Sequence, residues 1–401
     1  MVNKLKNILL IFLTFNLNSN DYPVEGKTVE ANQSMVVTRH YLASRVGNEI
    51  LMKGGNAVDA SIAISFALSV VLPQASPIGG GGFMIIHDAK SGNNYALDYR
   101  EMAPSAATVD MFIVDGEVDR GLALESYLSS GTPGTVHGLY EAHQRFGSLP
   151  WNELVKPSID LAEKGFIVTN TLAKSLNKET NRRKLSKTSD GKEIFFRDNE
   201  PLKEGMILFQ KDLAKTLTLI SNFGSDGFYK GTVAQKIHSD MKMNNGLITL
   251  TDLNNYEAKF REPVEFIYKD IKIITMPPPS SGGLLIGLMF NMLENIDLDK
   301  SDPHTAKNIL QISEIMQIAY SLRSVHLADP DFYPVPKDAF LNKDIAKELL
   351  LNIDDIKTST SEDFNPENLK IKENTTHYSV VDKYGNAVST TTTLNTAYGS
   401  G

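Results

Sequence analysis

The sequence predicts an α/β protein, and three observations carry that expectation. Residues 57–71 are apolar nearly all round but fall short of the roughly 20 needed to span a bilayer, so they read as a helix buried in a protein interior. Residues 376–382 alternate and are rich in β-branched and aromatic side chains. After them, Lys383-Tyr384-Gly385 suits a three-residue loop with glycine in the left-handed position, and residues 387–394 return as the second strand of a hairpin. A third stretch, Tyr95-Ala96-Leu97-Asp98-Tyr99-Arg100, alternates as a strand and stops at Glu101-Met102-Ala103-Pro104. With 401 residues, 41% of them hydrophobic, the chain can bury a substantial core as one large domain or two intimately packed ones.

Charge and composition exclude several functions. A net charge of -8 argues against a nucleic-acid partner, and Arg182-Arg183-Lys184 is too short a run to change that; it reads as a solvated face. The chain has no cysteine, so it offers neither disulfides nor a thiol nucleophile. Its eight histidines lack metal-ligand spacing, and no metal site is expected.

In chain order, Lys4 and Lys6 precede the apolar run Ile8-Leu9-Leu10-Ile11-Phe12-Leu13-Thr14-Phe15, and polar residues follow up to Asp21. This reads as a secretory signal peptide over residues 1–20, cut between Asn16 and Asp21, with no permanent membrane span and a periplasmic or secreted product. The spacing of Val46, Ile50 and Leu51 predicts an amphipathic helix from Ala43 that Gly54-Gly55 ends, and the buried helix of residues 57–71 follows at once. Gly79-Gly80-Gly81-Gly82 then runs into a strand at Phe83. Such a backbone must pass very close to a neighbour, and it lacks the Lys-Ser/Thr ending of a phosphate loop.

Arg100 closes the strand of residues 95–100. A guanidinium there is either a surface group or a fork that grips a carboxylate with two parallel hydrogen bonds. A helix is expected over residues 137–146, with His137 on its face and without a catalytic role, and another from Trp151 to Lys164 ended by Gly165. Residues 174–192 are polar and read as a surface excursion. Thr249 marks a helix N-cap. Met276-Pro277-Pro278-Pro279-Ser280-Ser281-Gly282-Gly283 is a stiff loop before an apolar helix at residues 284–293, serving either as a wall of a site or as a connector.

The hairpin carries the chemistry. If Asp382 faces Asn386, the register sets Thr375 opposite Thr393, two hydroxyls on one face, with Asn395 two residues further along. Threonine is a weak nucleophile without a base, and one remedy is to make it the first residue of a chain. Its α-amine, with a reference pKa of about 7.7–8.0, then takes the hydroxyl proton near neutrality. Thr375 is internal, so this requires cleavage of the Asn374-Thr375 bond, through attack of the Thr375 hydroxyl on the Asn374 carbonyl and hydrolysis of the ester. The same residues also read as an ordinary half-buried hairpin, threonine being a common strand residue.

Thr375-Thr376-His377-Tyr378-Ser379-Val380-Val381-Asp382, Gly385-Asn386-Ala387-Val388 and Thr393-Leu394-Asn395-Thr396 resemble the start of the small subunit of γ-glutamyltransferases, the γ-glutamyl transpeptidases or glutathione hydrolases. Further stretches extend the likeness in order: Gly54-Gly55-Asn56-Ala57-Val58-Asp59-Ala60, the four glycines, Asp98-Tyr99-Arg100-Glu101-Met102-Ala103-Pro104, Ser130-Gly131-Thr132-Pro133-Gly134-Thr135-Val136 and the proline loop. Pro77, His137 and Leu322 depart from the family's usual residues, Leu322 replacing an aspartate before Arg323.

The resemblance implies the αββα four-layer sandwich of N-terminal-nucleophile hydrolases, incomplete at the C-terminus. It implies Thr375 as autoprocessing residue and nucleophile, Thr393 as its assistant, and Arg100 and Asn395 as contacts to the substrate. The substrates are then glutathione and related γ-glutamyl compounds, with water, amino acids or dipeptides as acceptors. Residues 21–374 would form the large-subunit region and residues 375–401 the start of the small subunit, both from one precursor. The family's small subunit continues further, with an acidic residue and a serine pair for the substrate and a glycine pair for the oxyanion. The 401-residue chain alone is therefore expected to be deficient in self-cleavage and turnover. The alternatives are a non-catalytic remnant that at most binds γ-glutamyl ligands, or a β-lactam acylase on the same fold, which Arg100 and the Thr-Thr-His-Tyr-Ser start disfavour.

Overall fold

The computed structural model describes residues 29–76, 78–298, 304–352 and 373–401. The expected signal peptide and Pro77 lie outside them. Residues up to Gln33 form a unit of their own, whose described part holds no helix or strand, and Ser34–Gly401 form the second unit.

That second unit begins with strand β1 (Met35–Val37) and helix α1 (Tyr41–Met52). His40 caps the helix by accepting the Leu42 amide at 3.3 Å. At the other end, Gly54 N–H reaches Leu51 O and Gly55 N–H reaches Ile50 O, both at 3.0 Å, with Gly54 at φ 93°. This paired closure satisfies the helix's last carbonyls, and its left-handed residue explains the glycine. Helix α2 (Ala57–Val71) opens with a capping box between Asn56 and Asp59, and all 15 of its residues are buried, as its all-round apolar sequence requires.

One six-stranded antiparallel sheet receives α2. Its strands are β1, β2 (Gly81–Asp88), β3 (Asn93–Tyr99), β4 (Lys259–Arg261), β7 (Glu373–Val381) and β8 (Ala387–Thr396), in the order β1-β7-β8-β2-β3-β4. The hairpin β7–β8 thus lies at the middle of the sheet although it comes last in the chain. One face presents Tyr378, Val380, Val388, Met84, Ile86 and Leu97 to the core, and the Tyr378 hydroxyl donates to Ser61 O in α2 at 3.1 Å. The other face carries Thr375, His377, Ser379 and Val381, which are half-buried or exposed. Period-two alternation alone divides these residues between the faces.

Asp382 ties the hairpin to the helix layer. Its carboxylate accepts the amides of Tyr384 and Asn386 and the Asn386 side chain, and it also accepts the Ala57 amide in the first turn of α2 at 2.9 Å. A carboxylate at a helix N-terminus is favoured by the dipole, so one residue fixes both the turn and its docking.

Helices α3 (Thr135–Phe146) and α4 (Trp151–Lys164) complete the first helical layer, close to the predicted bounds, and Gly165 follows α4 at φ 78°. His137 accepts the Ala258 amide at 3.3 Å and packs against Tyr229 and Tyr256, which gives it a structural task. The polar stretch 174–192 is mostly exposed, as expected of a surface excursion, but it is helical and not a loop. It folds into helices α5 (Asn170–Leu176), α6 (Glu179–Leu185) and α7 (Ser189–Phe195), and α6 buries Asn181 and Lys184. Arg182 and Arg183 do lie in solvent, paired with Glu200 and Glu125, whereas Lys184 turns inward because it finds oxygen acceptors there.

A second sheet-and-helix pair has its own apolar cluster. Strands β5 (Val264–Tyr268) and β6 (Ile271–Thr275) form a two-stranded sheet, and the proline loop leads from it into helix α9 (Gly282–Leu293), numbered after α8 (Lys211–Phe223) of the first core. Leu284, Leu285, Leu288 and Met292 of α9 pack with Ile315 and Ala319 of α10 (Ala306–His326). Leu322 lies against this cluster, and the neighbouring Arg323 donates to Ser281 Oγ at 3.1 Å, so the residue that replaces aspartate serves packing. Among the described residues no helix is long and apolar enough to cross a membrane.

Candidate active site

The register of the central hairpin places Thr375 opposite Thr393, and their hydroxyl oxygens are 3.1 Å apart. This follows from the turn: Asp382 N–H bonds Asn386 O at 3.0 Å and Gly385 takes φ 88°, so pairing runs symmetrically about Tyr384. Beyond Thr375 the symmetry breaks. Glu373 pairs with Thr396, so two steps along β7 oppose three along β8, and the surplus residue is accommodated with Asn395 at φ 66°. This bulge lies across from the Asn374-Thr375 bond. It also redirects Asn395, which plain alternation would have aligned with Thr393. Its amide donates to Thr393 Oγ1 at 2.9 Å, while its side-chain oxygen accepts from Arg100 Nη2 at 3.2 Å.

The four-glycine run explains how Arg100 comes near the hydroxyls. A Cβ at Gly80 would lie 2.3 Å from Thr393 O and one at Gly82 2.3 Å from Thr391 O, so only glycine lets β2 approach β8 here. The Gly80 carbonyl in turn accepts the amides of Gly134 and Thr135 at 2.9 and 3.1 Å, which is the task of the Gly-Thr-Pro-Gly-Thr stretch. Gly81 pairs with Thr393 and Gly82 with Tyr99, so one step further sets Arg100 beside Gly81. A row therefore crosses four strands on the open face: Thr375, Thr393, Gly81, Arg100. With strands about 4.8 Å apart, Arg100 starts some 10 Å from Thr393, and the residue between them has no side chain.

Arg100 is partly exposed, lies 5.7 Å over the Phe83 ring and has Glu101 Oε2 3.4 Å from its Nε. The motif reading assigned nothing to Glu101. Burial raises its carboxyl above the usual range, opposed by the Arg100 charge. A cavity of about 580 Å³ opens beside these groups, with Arg100, Glu101 and Asn395 in its wall. Its opposite side includes Gly399 and Ser400, and Lys184 pins that turn by donating to Thr396 Oγ1, Ala397 O and Gly399 O. Sequence gave no signal for Lys184, a lysine in a charged run, whereas Glu101 stood next to the arginine already singled out. No residue of the proline loop lines this cavity.

Chemically, a hydroxyl pair needs a base. Among the described residues the side chain hydrogen-bonded to Thr375 Oγ1 is the Thr393 hydroxyl. His377 is the nearest imidazole along the strand, but its Nδ1 engages Thr391 Oγ1 at 2.8 Å and its Nε2 lies 3.1 Å from Ser389 Oγ. No group of three or more acidic or histidine side chains able to hold a metal occurs among the described residues.

Comparison with known proteins adds to this geometry. The gamma-glutamyltranspeptidase family profile matches residues 43–401. The chain is 46% identical over 376 residues to a glutathione hydrolase proenzyme of Escherichia coli (strain K12), covering 93% of this chain and 64% of that protein. It therefore spans about two thirds of that relative's length. A crystal structure of Helicobacter pylori gamma-glutamyltranspeptidase matches with a TM-score of 0.80 and 41% identity, over 87% of this chain and 99% of the other. A cephalosporin acylase from Bacillus halodurans matches with a TM-score of 0.82 at 25% identity, over 97% of this chain and 70% of the other. The fold is thus the α/β fold of N-terminal-nucleophile hydrolases, as the sequence predicts.

Proposed function

The chain belongs to the gamma-glutamyltranspeptidase family, and from that premise we propose that its protein is a γ-glutamyltransferase and glutathione hydrolase with Thr375 as nucleophile. The precursor first cuts itself. The Thr375 hydroxyl attacks the Asn374 carbonyl, the peptide bond gives way to an ester, and water hydrolyses the ester to leave Thr375 with a free α-amine. Residues 21–374 then belong to a large subunit and the chain from Thr375 to a small one.

In turnover the α-amine takes the Thr375 hydroxyl proton as the oxygen attacks the γ-amide carbonyl of glutathione or another γ-glutamyl compound. The leaving amine receives that proton, and the γ-glutamyl ester passes to water, an amino acid or a dipeptide. Arg100, with Asn395 beside it, binds the substrate α-carboxylate through its planar fork. Thr393 holds the nucleophile in place. No cofactor enters the reaction. The basic start and short apolar run of residues 4–15 support export, to the periplasm or the medium.

The observation that carries this reading is the row of the open sheet face, a hydroxyl pair and a guanidinium separated by a bare glycine. A γ-glutamyl group has its carboxylate and its scissile carbonyl at opposite ends of a short chain and fits such a row. An acylase reading explains Thr375 equally well, but the cephalosporin acylase is only 25% identical to this chain, against 41% and 46% for the γ-glutamyl enzymes. Expressed from its complete reading frame, the protein should split into two chains, the smaller beginning at Thr375, and turn over γ-glutamyl-p-nitroanilide. Thr375→Ala should remain whole and inactive. A Thr375→Ala variant that still splits at this bond would refute the assignment.

A further inference from the structure

Arg100 must meet an incoming carboxylate, yet the sheet row behind it already contains one. That row runs His377, Thr391, Phe83, Asp98, Lys259, by direct pairing across β7, β8, β2, β3 and β4. Asp98 is 6% exposed and stands two residues before Arg100 on the same face. A free carboxylate there would compete for the Arg100 guanidinium. It is not free: Oδ1 accepts the Arg100 backbone amide at 3.0 Å, and Oδ2 accepts Arg261 Nε at 2.8 Å. Arg261 is itself fully engaged. Its Nη1 and Nη2 reach the two oxygens of Asp331 at 3.0 and 2.9 Å, and Lys259 Nζ reaches the same carboxylate at 2.7 Å.

Resting on the reading of Arg100 as the carboxylate clamp, we infer that Asp98 and Arg261 are its positioning residues, and that this ion pair, a buried acid with a half-buried arginine, sets the site's preference for ligands bearing an α-carboxylate. Asp98 does two things. Through the Arg100 amide it bends the strand end, so that the side chain leaves the sheet beside Gly81. Through Arg261 its charge is neutralised in place, so that among the described residues the guanidinium above is held by Asn395, Glu101 and the Phe83 face. Asp331 completes the chain from outside, fixing the Arg261 fork in the plane that reaches Asp98. Removing Arg261 leaves a buried carboxylate flanked by Lys259, which Asp331 holds at 2.7 Å, and by Arg100, on which the carboxylate then draws so that the clamp closes on the protein's own acid.

Calorimetric titration of the protein, expressed from its complete reading frame, with L-glutamate and with 4-aminobutyrate tests this, because the second ligand lacks only the α-carboxylate. Wild type should prefer L-glutamate. Arg261→Gln should weaken L-glutamate by about tenfold, the scale of one charge-assisted hydrogen bond, and leave 4-aminobutyrate unchanged. A merely structural role would weaken both ligands together. Arg261→Lys keeps the charge but cannot reach both acids, and should restore part of the preference; it also carries the test if Arg261→Gln does not fold. Asp331→Asn leaves the Asp98–Arg261 pair intact and should cost less than either. Retained preference for L-glutamate in both Arg261 variants overturns the inference while leaving the clamp reading standing. A wild-type protein that does not distinguish the two ligands overturns both.

Discussion

Arg100 is suited to grip a carboxylate because its own environment occupies only part of it. Asn395 takes Nη2, Glu101 stands near Nε, and the ring of Phe83 lies beneath the guanidinium. Arg100→Lys keeps the charge and loses the planar fork, so γ-glutamyl binding should weaken by about 1.5–3 kcal/mol, read as a higher KM with splitting at Thr375 unaffected. Unchanged KM would remove Arg100 from the site. The Thr375–Thr393 pairing was legible in advance because a three-residue loop fixes register, and register fixes faces. The Asn395 bulge was not legible. A surplus strand residue leaves no mark in an alternating sequence, and Asn395 shows itself only through its positive φ. Lys184 was hidden for a related reason: its acceptors are backbone carbonyls more than two hundred residues away in sequence.

Among the elements, the hairpin and the glycine run form one device. Helix α2 and Asp382 hold the hairpin from one side, and glycines let β2 close on it from the other. Adjacent glycines in the run are not equivalent. Gly82→Ala drives a methyl into the Thr391 carbonyl, a backbone atom that cannot swing aside, and should cost about 1–3 kcal/mol of stability by overpacking. At Gly79 nothing among the described residues lies within 4 Å of a would-be Cβ, so Gly79→Ala should be nearly neutral in stability. Urea denaturation of the two variants checks this, and equal losses would mean that close approach is not what the run is for. The sequence announced a close approach without saying to what, because glycines report missing volume and not the identity of the neighbour. The helices within residues 174–192 were not legible for the opposite reason: short, polar segments carry little periodicity, and their packing depends on partners far along the chain.

At the scale of the whole molecule, stability should carry an acid-sensitive component from the start of α1. His40 is buried, caps that helix through Nδ1 and has no hydrogen-bond partner at Nε2 among the described residues, and burial lowers its imidazole to about 4. The folded protein therefore resists a proton that the unfolded chain accepts below its ordinary value near 6.5. The sign follows: this contribution is fully present above pH 6.5 and is lost as pH falls toward 4, by about 3 kcal/mol in all. His40→Asn keeps a capping oxygen without the titration, so its unfolding free energy should fall less steeply across that interval. Parallel slopes for the two proteins would show that His40 does not contribute.

Helix and strand were legible because their signals are local in sequence, a buried helix, a hairpin and an alternating strand, whereas the layered arrangement was expected from the family resemblance. On the proposed reading, what binds these into a reaction is one atom, the Thr375 hydroxyl oxygen. Acid quenching of the protein, expressed from its complete reading frame, during turnover of a γ-glutamyl substrate, followed by peptide mass analysis, locates the acyl group directly. The account predicts a γ-glutamyl ester on a peptide whose first residue is Thr375. A γ-glutamyl group found instead on Thr376, Ser379 or Thr393, with Thr375 unmodified, would contradict it.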